Sequence, residues 1–231
     1  MTDPMDVHKK TAARRAADMV KSGMVVGIGT GSTAAFMIER LGERIREEGL
    51  EIVGIPTSDD SEDKAVHAGI PLTDFAAHRR IDLAIDGADE VQRGSLHLVK
   101  GLGGALLREK IVATAARKFV VIVDGRKPVD LLGERAPVPV EVIPFGWECT
   151  AEYLASCGAR GVKPRQDRNG GLFVSDNGNM VLDCHFGPIE DPEALARKID
   201  AIVGVVEHGM FLNMASEVLV ATEQGIERWE P

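Results

Sequence analysis

Short, wholly apolar runs alternate with longer segments in which apolar residues recur every three to four positions, and this alternation organises the first half of the chain. The runs "MVVGIG" (24–29), "LEIVGIP" (50–56), "IDLAIDG" (81–87) and "FVVIVDG" (119–125) end in glycine or proline, as buried strands do. Between them lie helical patterns. Residues 5–22 place Ala12, Ala16, Met19 and Val20 on one side before Gly23, and 33–48, "SEDKAVHAG" (61–69) and "GGALLREKIVATAARK" (103–118) follow with the same period. Apolar strands separated by amphipathic helices predict an α/β fold: a Rossmann-like, doubly wound, mostly parallel sheet covered on both faces.

The pattern changes after "GRKPVDLLG". Three prolines in "APVPVEVIP" predict an edge strand or a crossing between domains, because proline supplies no ladder donor. A helix "GWECTAEYLASCG", a strand near 160–166, a hairpin over 171–186 turning at Asn177-Gly178, and a helix "DPEALARKIDAIV" come next. With "VPVEVIP" before and "GVVEHGMF" after, the order is that of a small ferredoxin-like α+β domain. The last apolar run, "SEVLVAT" (216–222), is expected to rejoin the first sheet. The expected domains are therefore 1–132 with 207–231, and 133–206.

Composition narrows the partners. The 231 residues carry a net charge of -9, which disfavours nucleic acid and leaves a small molecule as the expected ligand. Three cysteines, Cys149, Cys157 and Cys184, form no CxxC pair and fit a reducing compartment. The start "MTDPMDVHKK" is too polar for a signal peptide, and no apolar run reaches the roughly 18 residues of a membrane span. The expected location is the cytoplasm, with no membrane contact.

In a doubly wound sheet, ligands gather outside the carboxyl ends of the strands. Each unusual polar cluster follows such a strand: Thr30-Gly31-Ser32-Thr33, Thr57-Ser58, Gly87-Ala88-Asp89-Glu90 and Gly125-Arg126-Lys127. "GIGTGST" has two glycines of the dinucleotide fingerprint, but Ser32 takes the third position and no acidic residue closes the next strand. It reads either as a helix N-terminus for a phosphate or as a simple helix cap. "IDGADE" groups Asp86, Asp89 and Glu90. Such a group is a solvated turn, a magnesium site, or a cluster serving a lysine or proton transfer. The six histidines are scattered, and His185 beside Cys184 reads as structural rather than as a metal ligand.

In "LVKGLGGALLREKIV" (98–112), Lys100 precedes glycines that let a backbone approach a ligand, so the stretch is not a P-loop. Leu106, Leu107, Ile111 and Val112 make the following helix amphipathic. By spacing alone, Arg108 and Glu109 belong to a surface salt-bridge face.

Taken together, "GIGTGST", "DGADE", "KGLGGALLREKI", "GRKPVDLLG", "PVPVEVIPF", "SDNGNMVLD" and "GVVEHGMF" resemble the ribose-5-phosphate isomerase A family, in order and over most of the chain. The resemblance implies a metal-independent aldose-ketose isomerase with no cofactor, acting on a sugar phosphate as a homodimer. Glu109 matches the proton acceptor. Thr30, Gly31, Ser32 and Thr33, then Asp86, Gly87, Ala88 and Asp89, then Lys100, Gly101, Leu102 and Gly103 match substrate-binding segments. Lys127 matches a later ligand lysine and Lys9 an N-terminal phosphate contact. Leu102 stands where many members have glycine, and "PTSDDSED" departs from the usual sequence around Ser58.

The chemistry fits these assignments. One carboxylate can move a proton between adjacent carbons, and Glu109 should then be partly desolvated. Lys100 and backbone N–H groups would stabilise the enediolate oxygen, Asp86 would move the ring-opening proton, and Asp89 would orient hydroxyls. Two other classes share the architecture: a sugar-phosphate-sensing domain, for which about 20 residues before "VVGIG" leave too little room for a helix-turn-helix, and a transferase with a glutamate nucleophile.

Overall fold

The computed structural model describes residues 4–231. In chain order the elements are α1 (Pro4–Ala17), β1 (Val25–Ile28), α2 (Ser32–Glu48), β2 (Val53–Pro56), α3 (Asp59–Ala68), β3 (Leu83–Asp86), β4 (Glu90–Gln92), β5 (Leu98–Val99), α4 (Leu106–Ala115), β6 (Phe119–Asp124) and β7 (Pro128–Val129). Then come β8 (Val138–Val142), α5 (Trp147–Ser156), β9 (Gly161–Pro164), β10 (Met180–His185), α6 (Pro192–Asp200), β11 (Val205–His208), β12 (Met210–Phe211), β13 (Glu217–Thr222) and β14 (Gly225–Trp229). Two compact units result. The first holds the chain up to Ala88, Arg108–Lys127 and Met214–Pro231; the second holds Asp89–Leu107 and Pro128–Asn213.

The first unit is built on a six-stranded sheet of order β14-β13-β6-β3-β1-β2. All its pairings are parallel except β13 with β14. Strands β1, β3 and β6 are buried at every position, which is why they read as unbroken apolar runs. The expected return of 216–222 to this sheet is observed: β13 lies parallel to β6. Helix α2 buries Ala34, Met37, Ile38 and Leu41, the spacing of one helical face. It ends at Gly49, whose left-handed φ of 68° lets its N–H reach the Arg44 carbonyl.

Helix α1 stops at Ala17, five residues short of the expected end. Nη1 of Arg44 donates to the carbonyls of Ala17 and Val20 at 2.7 and 2.8 Å, and so satisfies acceptors that a longer helix would have used internally. Helix α4 is also shorter than its periodicity suggested. Gly101 and Gly104 hold positive φ before it, and after it Arg117 N–H pairs with the Ile81 carbonyl. Close packing seats this helix on β1: a Cβ at Gly27 would lie 2.5 Å from Val112 Cγ1.

The second unit contains the expected split pattern. Strands β8, β9, β10 and β11 form an antiparallel sheet of order β11-β8-β10-β9, with α5 and α6 as the crossovers. A further sheet, β12-β5-β4-β7, is assembled from strands of two or three residues. The apolar core of this unit includes Val138, Val140, Val142, Leu154, Leu182 and Ile199.

Two expectations fail here. Strand β8, which carries Pro139, is interior rather than an edge. Its pairing with β11 ends at Val140, and the Pro139 carbonyl accepts from Gly209 N–H at 2.7 Å. The N–H and carbonyl of a strand residue point to the same side, so the donor that proline lacks would have faced past the end of the ladder. The first arm of the 171–186 hairpin forms no strand either. Its β pairing is limited to isolated bridges, Gln166 with Leu172 and Val174 with Met180, while the turn at Gly178 is kept. Glu141, fully buried on β8, holds that turn by accepting from Ser175 Oγ, Asn177 Nδ2 and Asn179 Nδ2.

The three cysteines are free. Cys184 is buried on β10; burial, with the charges of Asp183 and Cys157, pushes its thiol up to about 12. Thiol titration of the native protein at neutral pH should therefore modify exposed Cys149 first and leave Cys184 untouched until denaturant is added. Three reactive thiols in the native state would contradict this burial.

Candidate active site

In the first unit, the expected polar residues lie at the carboxyl ends of β1, β2, β3 and β6. Asp86 closes β3 and is 3% exposed. Its Oδ1 accepts from Thr30 N–H at 3.0 Å and Gly87 N–H at 2.7 Å, so it joins the ends of two neighbouring strands. The carboxylate lies in the space that a Cβ on Gly29 would need. This accounts for the glycine without any nucleotide.

Thr30 Oγ1 donates to Ser58 Oγ at 2.7 Å and lies 2.7 Å from Thr57 Oγ1. Ser58 caps α3 by accepting from Ser61 N–H. The hydroxyls of Thr30, Thr57, Ser58 and Ser61 thus form one chain across the ends of β1 and β2. The sequence offered Thr57 only as the residue after a strand; its role emerges from the pairing of β1 with β2.

Neither Thr30 nor Ser32 caps α2. Gly31 is the N-cap residue, with φ 104° and no side-chain hydrogen bond, and Ser32 begins the helix. The first intrahelical bond to Gly31 comes from Ala35. The N–H groups of Ser32, Thr33 and Ala34 therefore have no intrahelical acceptor, beside the exposed Ser32 and half-buried Thr33 side chains. The simple-cap reading is thereby excluded, and the geometry suits an anion.

Lys127 follows β6 in a turn closed by its own N–H to the Asp124 carbonyl, 3.1 Å. Burial pushes the Asp124 carboxyl up, but hydrogen bonds from the Arg126 side chain and N–H, with the charges of Arg126 and Lys127, outweigh it and hold the group below the usual range. The Asp124 carboxylate is thus bound to Arg126 on three atoms, and among the described residues the Lys127 ammonium has no carboxylate within 4 Å. Lys9 lies on α1 and pairs with Asp6 at 3.3 Å; among the described residues no hydrogen bond or ion pair joins it to the 30–33 segment.

Glu109 departs most from the setting that spacing alone suggests. Helix α4 buries Leu106, Glu109, Val112 and Ala113, the three-and-four spacing of one helix face, and leaves Ile111 half exposed. Ile111 was expected on the apolar face and Glu109 on the charged one; the two are exchanged. Arg108 does what a surface residue should, pairing with Asp59 at 2.7 Å. Glu109 is only 5% exposed.

In the second unit, Asp89 and the glycine stretch are joined. Asp89 Oδ2 accepts from Leu102 N–H at 3.0 Å, so this carboxylate holds a loop rather than standing ready only for hydroxyls. Lys100 is 2% exposed; its Nζ lies 5.5 Å from the Phe211 ring centroid and its N–H donates to the Gly209 carbonyl at 2.8 Å. Glu90, the remaining carboxylate of "DGADE", is structural. It is buried and accepts from the N–H groups of Gly133, Arg135 and Ala136.

A cavity of about 390 Å³ beside α4 is lined by Ile55, Leu72, Phe75, Arg108 and Ile111 among others. None of the expected ligand residues lines it. Among the described residues Asp200, Glu207 and His208 bring three potential metal ligand atoms within 4.8 Å of one another. Met210 N–H donates to His208 Nδ1, so the neutral ring carries its proton on Nε2, facing Asp200 Oδ1 at 3.4 Å. That is a hydrogen-bonded pair rather than a lone pair directed at a cation.

The sequence model described as Ribose 5-phosphate isomerase A (phosphoriboisomerase A) matches residues 53–225. A curated ribose-5-phosphate isomerase A from Gluconobacter oxydans is 84% identical over 98% of both chains. This chain belongs to the ribose 5-phosphate isomerase A family. A solved ribose 5-phosphate isomerase A from Methanocaldococcus jannaschii, 44% identical, superposes with a TM-score of 0.93 over 97% of this chain and 99% of that one. A D-ribose-5-phosphate isomerase in complex with phospho-erythronic acid, 40% identical, does so with 0.94 over 97% and 98%.

Within this isomerase, Gly29→Ala should displace the Asp86 carboxylate that now fills its Cβ position. Turnover is expected to fall about 100-fold, the cost of a misplacement near 1 Å, with the circular dichroism spectrum retained. A folded Gly29→Ala enzyme of normal kcat/KM would show that the Asp86 position does not matter.

Proposed function

We propose that this protein interconverts D-ribose 5-phosphate and D-ribulose 5-phosphate through an enediolate, with Glu109 moving the proton between C2 and C1. The observation that carries the reading is the burial of Glu109 on the core stripe of α4. A carboxylate taken out of water must be held by its surroundings, and a desolvated base competes well for a carbon-bound proton.

Each remaining residue then has a task. Asp86, fixed by two N–H groups, carries the proton that leaves the ring hydroxyl when the furanose opens. Asp89 steadies the glycine loop and presents its second oxygen to a substrate hydroxyl. Lys100 and the Gly103 N–H of the loop stabilise the negative oxygen of the enediolate, the kind of preorganised contact that contributes most to such reactions. The uncapped N-terminus of α2, the hydroxyls of Thr30, Ser32 and Thr33, and Lys127 take the phosphate, with Lys9 as an outer contact once it releases Asp6. Phosphate binding energy then positions the distant carbons. The phospho-erythronic acid held by a relative agrees with this division. It carries a phosphate at one end and, at the other, a carboxylate whose charge resembles that of an enediolate.

The reading extends to a place in the non-oxidative pentose phosphate pathway, in the cytoplasm, as a homodimer. Its support is the family together with a cysteine pattern that suits a reducing compartment.

Glu109→Gln should lower kcat by about 1,000-fold or more while the enzyme still binds ribose 5-phosphate with nearly its original affinity. Normal turnover by this variant would refute the base assignment. Lys127→Ala should raise KM about tenfold with little change in kcat, since its contact is the same in ground and transition states. A loss confined to kcat would remove Lys127 from the phosphate site.

A further inference from the structure

We propose that Arg165, just beyond β9, is a positioning residue for the isomerisation: it fixes the two peptide planes of the 101–103 loop so that the Gly103 N–H faces the substrate oxygen. The inference rests on the reading of Lys100 to Gly103 as the enediolate contact. Arg165 itself touches no substrate.

The loop is held from two sides. Arg165 Nη1 donates to the Gly101 carbonyl at 2.7 Å and to the Leu102 carbonyl at 3.0 Å. The Leu102 N–H, in the same peptide as the Gly101 carbonyl, donates to Asp89 Oδ2 at 3.0 Å. In a trans peptide the C=O and N–H point in opposite directions, so the guanidinium and the Asp89 carboxylate grip one plane at its two ends. The next plane follows from the same rule. With the Leu102 carbonyl turned to Arg165, the Gly103 N–H must point away from it, and among the described residues that N–H has no protein acceptor. The Gly101 carbonyl also accepts from Gly104 N–H at 2.9 Å, which closes the turn.

Arg165 is in turn immobilised. Its Nε donates to Asp183 Oδ2 at 3.1 Å and its Nη2 to Asp183 Oδ1, a two-point fork across β9 and β10. Its guanidinium lies 5.9 Å from the centre of the Phe173 ring, and that ring fills the space beside Gly104 where a Cβ would sit. The backbone is tied as well, since Arg165 N–H donates to the Val181 carbonyl and Phe173 N–H to that of Arg165. The side chain is 11% exposed. A planar guanidinium meets a carboxylate on one edge and two carbonyls on another; an ammonium cannot do both in fixed geometry. The ferredoxin-like sheet therefore supplies the anchor for a loop that belongs to the chemistry.

The test is kinetic, on the full-length enzyme. Arg165→Met should lower kcat about 100-fold and weaken inhibition by 4-phosphoerythronate, whose carboxylate stands for the enediolate. Inhibition by inorganic phosphate, which probes only the other end of the substrate, should stay within about twofold. Arg165→Lys, which keeps charge and packing but not the fork, should lose about tenfold in kcat. Guanidinium ion should restore part of the activity of Arg165→Ala, a result that a purely structural role would not produce. A folded Arg165→Lys enzyme with kcat within twofold of the parent overturns the proposal even if Arg165→Met fails to fold. Lys100→Ala separates the two layers: normal turnover there removes the loop from the site and this proposal with it. An impaired Lys100→Ala beside an unimpaired Arg165→Lys refutes the positioning role alone.

Discussion

A carboxylate seated in the buried stripe of a helix sets the terms for the rest of this protein. Removing such a group from water costs on the order of several kcal/mol before any compensation, and a fold that keeps it must hold its helix firmly. The first unit does so by close contact. Gly27 lets β1 meet Val112 of α4, and Arg108 ties the outer face of the same helix to Asp59 at the start of α3. Glu109 thereby has a fixed place on a rigid element, as the proposed transfer of a proton between two neighbouring carbons requires.

The polar groups at the strand ends obey a related constraint. Each is fixed by a neighbour. Asp86 Oδ1 accepts from two N–H groups, Thr30 links its hydroxyl to Ser58, and Asp124 draws the Arg126 guanidinium. The second unit repeats the device with backbone: Asp89 and Arg165 take one N–H and two carbonyls of the glycine loop. Preorganisation of this kind avoids reorienting dipoles while the reaction proceeds.

The architecture was legible where one physical signal dominated. Strands buried on both faces must be apolar throughout, so β1, β3 and β6 were plain, and the 3.6-residue period revealed α2 and α6. Where two signals competed, the stronger prior misled. Pro139 argued for an edge strand, but its missing donor points beyond the end of the β11 ladder. The apolar pattern of α1 ran to residue 22, but Arg44 from another helix took the carbonyls first. The strands of β12-β5-β4-β7 carry two or three residues each, too few for any periodicity to show.

The residues of the site divide in the same way. The sequence by itself determined which chemical groups are present and in what order: a glycine-rich turn after the first strand, paired carboxylates after the third, a lysine before a glycine loop, a glutamate five residues beyond it. Local chemistry and motif order are properties of the chain, and they suffice to name the family. Only the tertiary structure decided that Glu109 rather than Ile111 faces inward, that Glu90 clamps the 133–136 loop while Asp86 joins the ends of β1 and β3, and that Arg165 reaches the glycine loop. Those outcomes depend on which face of a helix meets the sheet and which strands pair. Packing, not spacing along the chain, settles both.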